Sequence, residues 1–208
     1  MLHILQDYLT RLYASLRGGV TDVEEYSAYG ILKTVYWFEQ DSKRLGDYSP
    51  FGTILLNERA KTEFPEQTTE YVFLHEMGHA RDGIVIRTIM WCLLIAFGFL
   101  ALGGIVSLPA LVLQAVVQTP SLYLLPAYVS SVILVVIFAS LLFIITSWFD
   151  ELRADLFAIS KIGRQEFKTL RSYFHEQSDR GFLRKCWYHA RYPPAQLILW
   201  VARWREVG

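Results

Sequence analysis

The sequence predicts a mixed α+β chain, mostly helical, with a two-helix transmembrane hairpin set between the halves of a soluble domain. Three observations carry that expectation. Two long uncharged stretches, Thr88–Leu108 and Ala127–Phe149, stand between polar flanks. Short runs of β-branched and aromatic residues bounded by turn formers occur in the first third of the chain. Elsewhere apolar residues recur at three- and four-residue spacing, the period of a helix with one buried face.

In order along the chain, Leu2, Leu5, Leu9, Leu12, Tyr13 and Leu16 fall on one helical face, and Gly18-Gly19 ends that helix. The stripe reads as a packing helix, with an interfacial membrane helix as the alternative. Asp22–Tyr29, with Thr21 as cap, reads as a short acidic helix. Gly30–Gln40 and Gly52–Asn57 read as strands pairing in a hairpin across a turn at Asp41–Pro50. A helix is expected over Glu66–Arg81, anchored by Val72, Phe73, Leu74 and Met77. Further helices are expected over Glu151–Ile162, Arg164–Phe174 and from Pro193-Pro194 to Arg203, with a basic loop at Ser178–Lys185.

The helix over Glu66–Arg81 carries His75-Glu76-Met77-Gly78-His79. Residues four apart share a helical face, so His75 and His79 can close on one ion. Zinc takes imidazole nitrogen, and Glu76, adjacent in sequence, can serve as a general base without ligating. Two histidines require a third protein ligand. The acidic stretch Asp150-Glu151-Leu152-Arg153-Ala154-Asp155 is the place to find a carboxylate. Read alone, Asp155 is equally a helix cap or a surface charge.

Thr88–Leu108 is 21 residues long, about 31 Å as a helix and enough to cross a bilayer. Ala127–Phe149 is a second such stretch, ending on the interface anchors Trp148 and Phe149. The connection, Pro109–Pro126, has no Lys or Arg. Arg81, Arg87, Arg153, Lys161 and Arg164 flank the open ends. The positive-inside rule then places both halves of the metal site on the cytoplasmic side of a multi-pass integral membrane protein. Small residues suited to close helix approach are Gly98, Ala101, Gly103 and Gly104 in the first span and Ser130, Ser131, Ala139 and Ser140 in the second. The expected domains are residues 1–87 and 150–208 as two halves of one cytoplasmic domain, and 88–149 as the hairpin, with spans at about 88–108 and 127–149.

The order of these motifs resembles the integral-membrane gluzincin metallopeptidases, the family of HtpX and the type 1 CAAX prenyl protease. The likeness covers roughly residues 30 to 205 and is specific at the two metal motifs. It implies a gluzincin-like metallopeptidase domain and one Zn2+ per chain, bound by His75, His79 and Glu151. It further implies Glu76 as catalytic base and Asp155 orienting a ligand histidine. An extended protein or peptide substrate would add to the edge of the Gly52–Asn57 strand. Two departures stand out. The two further spans usual before the zinc helix have no counterpart here, and Tyr192 replaces the histidine before Pro193-Pro194. His189, Tyr192, Arg191 and Tyr188 are the candidate oxyanion stabilisers.

Composition narrows the alternatives. Hydrophobic residues make up 53% of 208 residues, with the excess in one block, which marks a bilayer rather than a large core. Net charge is zero, which excludes an electrostatic nucleic-acid footprint. Cys92 and Cys186 support neither a disulfide framework nor a cysteine metal site. Met1–Leu16 carries Asp7 and Arg11, so no signal peptide is expected. The expected activity is that of a zinc endopeptidase acting on membrane or membrane-proximal proteins. The alternative is a non-catalytic, zinc-stabilised membrane signalling or assembly protein.

Overall fold

A computed structural model of the chain describes residues 2–16, 18–39, 44–81, 84–117, 124–176 and 182–205. It is an α+β structure, mostly helical, with one four-stranded sheet. The order is α1 (Leu2–Ser15), β1 (Val20–Ala28), β2 (Ile31–Phe38), β3 (Gly46–Tyr48), β4 (Ile54–Asn57), α2 (Arg59–Thr62), α3 (Glu66–Ala80) and α4 (Ile84–Val117). Then follow α5 (Leu124–Ile162), α6 (Arg164–Glu176), α7 (Phe182–Arg191) and α8 (Ala195–Trp204). The chain divides into two compact units, Met1–Asp82 with Asp150–Gly208, and Gly83–Phe149.

In the first unit the sheet order is β1-β2-β4-β3. Asp22–Tyr29, expected as an acidic helix, is instead most of β1, paired antiparallel with β2. The turn between them, Tyr29-Gly30, has both φ angles positive (51° and 75°). That is the geometry two-residue hairpins prefer, and glycine accepts it freely. The expected hairpin of β2 with β4 is also corrected: the two run parallel, because β3 forms first at the far side and β4 returns between them. β3 lies inside the segment expected as a turn. Gly46-Asp47-Tyr48 is composed of turn formers and is held in the sheet by pairing with β4 rather than by its own propensity.

Both faces of the sheet are covered, and β2 shows how. Val35 and Trp37 point into the main core with Phe73, Leu74, Ile159, Phe167 and Ile198. Tyr36 and Phe38 point the other way, with Leu55 and Ala14. α3 is buried nearly all round, which is why it carries no apolar stripe. α1 packs on the sheet as expected, but mostly not through the expected stripe. Ala14 and Tyr13 join the second core cluster. Polar groups add to the docking, with Gln6 donating to the Phe51 carbonyl at 2.7 Å, Thr10 meeting Thr53 at 3.0 Å and Tyr13 donating to Asp47 at 2.9 Å. Ile4, Leu5, Tyr8, Leu12 and Leu16 face outward. Gly163, with φ 86°, ends α5 by donating to the Ile159 carbonyl, and α6 starts at once.

In the second unit α4 and the first part of α5 run side by side. Phe97 and Phe138 lie 5.0 Å apart, and Gly104 backs onto Val132. Of the small residues expected at this contact, Gly104, Ala101 and Ala139 are half-buried, whereas Gly98, Gly103, Ser130, Ser131 and Ser140 are exposed. Within α5, Val129–Ile162 is long and apolar enough to cross a membrane, with mean hydropathy 2.8 in its apolar window and none of that window buried. In α4 the described apolar run is the shorter Ile95–Ser107. α4 continues through Pro109 to Val117, so the start of the expected connection is helical; residues 118–123 lie outside the described residues. So do residues 178–181 of the expected basic loop, whose end, from Phe182, belongs to α7.

Candidate metal centre

The helical period sets the first layer. On α3, Tyr71, His75 and His79 follow at four-residue steps; on α5, Glu151 and Asp155 do the same. The two helices meet at Gly78. A Cβ on Gly78 would stand 2.5 Å from the Ala154 Cα and 2.8 Å from its carbonyl oxygen. Any side chain there would force the helices apart, so glycine is what lets Glu151 reach the histidines.

Three donor atoms converge. His75 Nε2 lies 3.2 Å from His79 Nε2 and 3.2 Å from Glu151 Oε2, and His79 Nε2 lies 4.0 Å from Glu151 Oε2. Ligands about 2.0–2.1 Å from one tetrahedral ion sit about 3.3 Å apart. The observed triangle is thus close to the spacing a single ion imposes. His75, His79 and Glu151 form a group that could hold a metal ion.

The partners of the other ring nitrogens support the same reading. His75 Nδ1 is 2.7 Å from Asp155 Oδ1, and His79 Nδ1 is 3.3 Å from Asp150 Oδ1. A neutral imidazole that donates from Nδ1 leaves a lone pair on Nε2. Two such lone pairs then face the carboxylate of Glu151, whose Oε2 is buried without a hydrogen-bond partner among the described residues. Three acceptors aimed at one point repel unless a cation lies among them. Burial depresses the basicity of both rings, but Asp155 and Glu151 outweigh it at His75, which is raised well above the ordinary histidine value. Asp150, with Glu76 and Glu151, outweighs it at His79, which is raised.

Behind His75 the network is fully buried. Asp155 Oδ1 accepts from the Tyr71 hydroxyl at 2.8 Å as well as from His75. Arg171 of α6 lies 3.8 Å from Asp155 Oδ2 and 3.5 Å from the Tyr71 oxygen. Burial alone would raise the Asp155 carboxyl; Arg171 first, then His75 and Tyr71, bring it down to about 2.

Glu76 is buried on the same helix and is not one of the three converging ligands. Burial raises its carboxyl, against the pull of His79, His75 and Arg44. β3 presses on it: a Cβ at Gly46 would stand 2.8 Å from Glu76 Oε1 and 2.5 Å from Val72 Cγ1. β3 is the sheet edge beside α3. Gly52–Asn57, expected to offer its edge to a substrate, is interior, because β4 is paired with β2 on one side and β3 on the other.

The four oxyanion candidates separate. Tyr188, His189 and Arg191 end α7, and Tyr192 follows it, stacked on Tyr188 at 4.8 Å. His189 is exposed. Burial, then Glu151, push the Tyr192 hydroxyl up to about 12, with Glu76 adding and Arg191 and Arg44 opposing.

Sequence reasoning missed Tyr71 and Arg171, and gave Asp150, named within the acidic stretch, no role of its own. Tyr71 was visible as the residue one turn before His75, and Asp150 as the neighbour of Glu151. Nothing in the local pattern marks Arg171, which reaches the site only because α6 folds back. Comparison of the chain with protein-family models, with curated proteins and with solved structures gives no match.

Proposed function

We propose that this chain is a membrane-bound zinc endopeptidase of gluzincin type, cleaving membrane or membrane-proximal proteins. The observation that carries the reading is a buried carboxylate, Glu76, left outside the ligand set on the helix that supplies two of three converging metal donors. A site built only to stabilise a fold has no need of it. His75, His79 and Glu151 would hold the ion, and this donor set of two imidazoles and one carboxylate suits zinc. When bound, zinc supplies Lewis acidity toward a carbonyl and toward water. Glu76 takes the proton from the attacking water and delivers it to the leaving amine. Tyr192 donates from its hydroxyl to the developing oxyanion. An extended segment of substrate adds along β3, the last strand of the sheet order, next to Glu76. The membrane setting is supported by the length and exposure of the apolar helix in α5, and the outward apolar face of α1 suits an interfacial helix better than a packing one. We read the protein as multi-pass with its site in the cytoplasm, from the basic flanks.

The test compares membranes holding wild-type chain with membranes holding Glu76→Gln, by proteomics of cleaved termini. Glu76→Gln should keep its zinc and lose cleavage by at least ~100-fold, the scale of general-base catalysis. Equal cleavage by both would refute the enzyme reading and leave a structural metal module.

A further inference from the structure

Arg171 lies in no motif and touches none of the three donors, yet it is a largely buried arginine beside a fully buried aspartate. We infer that Arg171 and Tyr71 form a positioning layer for the metal ligand His75, acting through Asp155. The inference rests on the metal-site reading and adds residues that reading does not require.

The geometry is a relay of fixed positions. Tyr71 and His75 share Asp155 Oδ1, at 2.8 and 2.7 Å. Asp155 Oδ2 is buried with no hydrogen-bond partner among the described residues, and Arg171 Nη1 stands 3.8 Å away. Arg171 Nη1 also approaches the Tyr71 oxygen at 3.5 Å, so the guanidinium faces both the phenol and the carboxylate that the phenol binds. The placement solves an electrostatic difficulty. A carboxylate removed from water is expensive unless a charge balances it. His75 cannot serve as the balance while its Nε2 lone pair faces a metal ion. Arg171 supplies a permanent positive charge from the opposite side, and it does so from a third helix. Asp155 can then stay in place as an acceptor for the His75 Nδ1–H. That bond sets the rotation of the ring and points Nε2 into the donor triangle. Tyr71 closes the remaining direction, and its position one turn before His75 makes the arrangement a property of α3 itself. Docking of α6 is thereby coupled to the orientation of a ligand on α3.

The experiment is Zn2+ affinity of the purified full chain, by competition with a chelator, for wild type, Arg171→Gln, Arg171→Lys, Tyr71→Phe, Asp155→Asn and the double variant Arg171→Gln/Asp155→Asn. Arg171→Gln should weaken binding about 10-fold, the lower end for residues supporting a ligand, and Arg171→Lys should recover most of it. A purely structural role predicts losses that add. A role through Asp155 predicts that the double variant binds no more weakly than Asp155→Asn alone. Unchanged affinity in Arg171→Gln, or additive losses, overturns the inference while leaving the metal site intact. A wild-type chain that binds no Zn2+ overturns the metal reading, and this inference with it. Should Arg171→Gln not fold, Tyr71→Phe combined with Asp155→Asn decides by the same additivity, since the ring is kept and only the hydroxyl is lost.

Discussion

At the scale of single residues, the two histidines are held by different carboxylates, and the difference is testable. His75 leans on a buried aspartate with two further partners; His79 leans on Asp150, which is 36% exposed at its side chain. His79→Ala removes a ligand and should release most of the metal, measured as zinc per chain after dialysis. Asp150→Asn leaves every ligand in place and should weaken affinity by about 10-fold or less, because water can replace part of an exposed partner. An Asp150→Asn loss as large as that of His79→Ala would mean Asp150 itself ligates. The histidine pair was legible because the helix period alone puts residues four apart together. The acidic stretch 150–155 was legible as the source of a third ligand, but assigning Glu151 as that ligand and Asp155 as the residue orienting a histidine needed the family likeness. Arg171 was not legible, since a buried arginine is defined by what surrounds it and local sequence does not carry that.

At the scale of elements, the centre depends on how closely α3 approaches α5, and Gly78 sets that distance. Alanine is the better helix former by about 1 kcal/mol. Against that, a Cβ 2.5 Å from the Ala154 Cα must displace backbone, and overpacking of this kind costs about 1–3 kcal/mol. The clash should win. Gly78→Ala is expected to lower the melting temperature and to weaken zinc binding at least ~10-fold without altering a ligand. A Gly78→Ala chain that is more stable and binds zinc normally would show that the helices do not cross where the structure places them. The same contrast between local and tertiary causes explains the errors in the sheet. β2 and β4 carry strong strand propensity and were expected as strands. β1 was missed because its apolar Val20, Val23 and Tyr26 recur every three residues, nearer a helical than a strand period. Its inward alternation, Glu24, Tyr26 and Ala28, begins on a glutamate after a register shift between Val20 and Asp22. β3 was missed because a three-residue strand of Gly, Asp and Tyr has almost no propensity of its own, and only its ladder with β4 makes it one.

At the scale of the whole molecule, the chain interrupts one compact unit with another of opposite surface character. The unit Met1–Asp82 with Asp150–Gly208 has a buried core between its sheet and helices, with exposed apolar side chains mainly on α1 and on the tryptophans of α7 and α8. The unit Gly83–Phe149 turns Phe99, Leu100, Val106, Leu134 and Ile145 outward. Isolated exposed apolar residues are ordinary, but a contiguous helical surface of them in water is not. The bilayer setting proposed above would remove the difficulty, and it carries a direction. By the positive-inside rule the proposed hairpin is expected to insert with its Lys- and Arg-free connection translocated. In intact cells holding a chain with Cys92 and Cys186 replaced by serine, a cysteine at Gln118 should react with a membrane-impermeant maleimide. One at Arg164 should react only after the membrane is opened. Resistance of the chain to alkaline carbonate extraction is expected alongside. Labelling of Arg164 from outside would reverse the orientation and expose the metal centre to the opposite compartment. Equal labelling of both positions, with release by carbonate, would place the apolar helices outside any bilayer and remove the membrane from the proposed function.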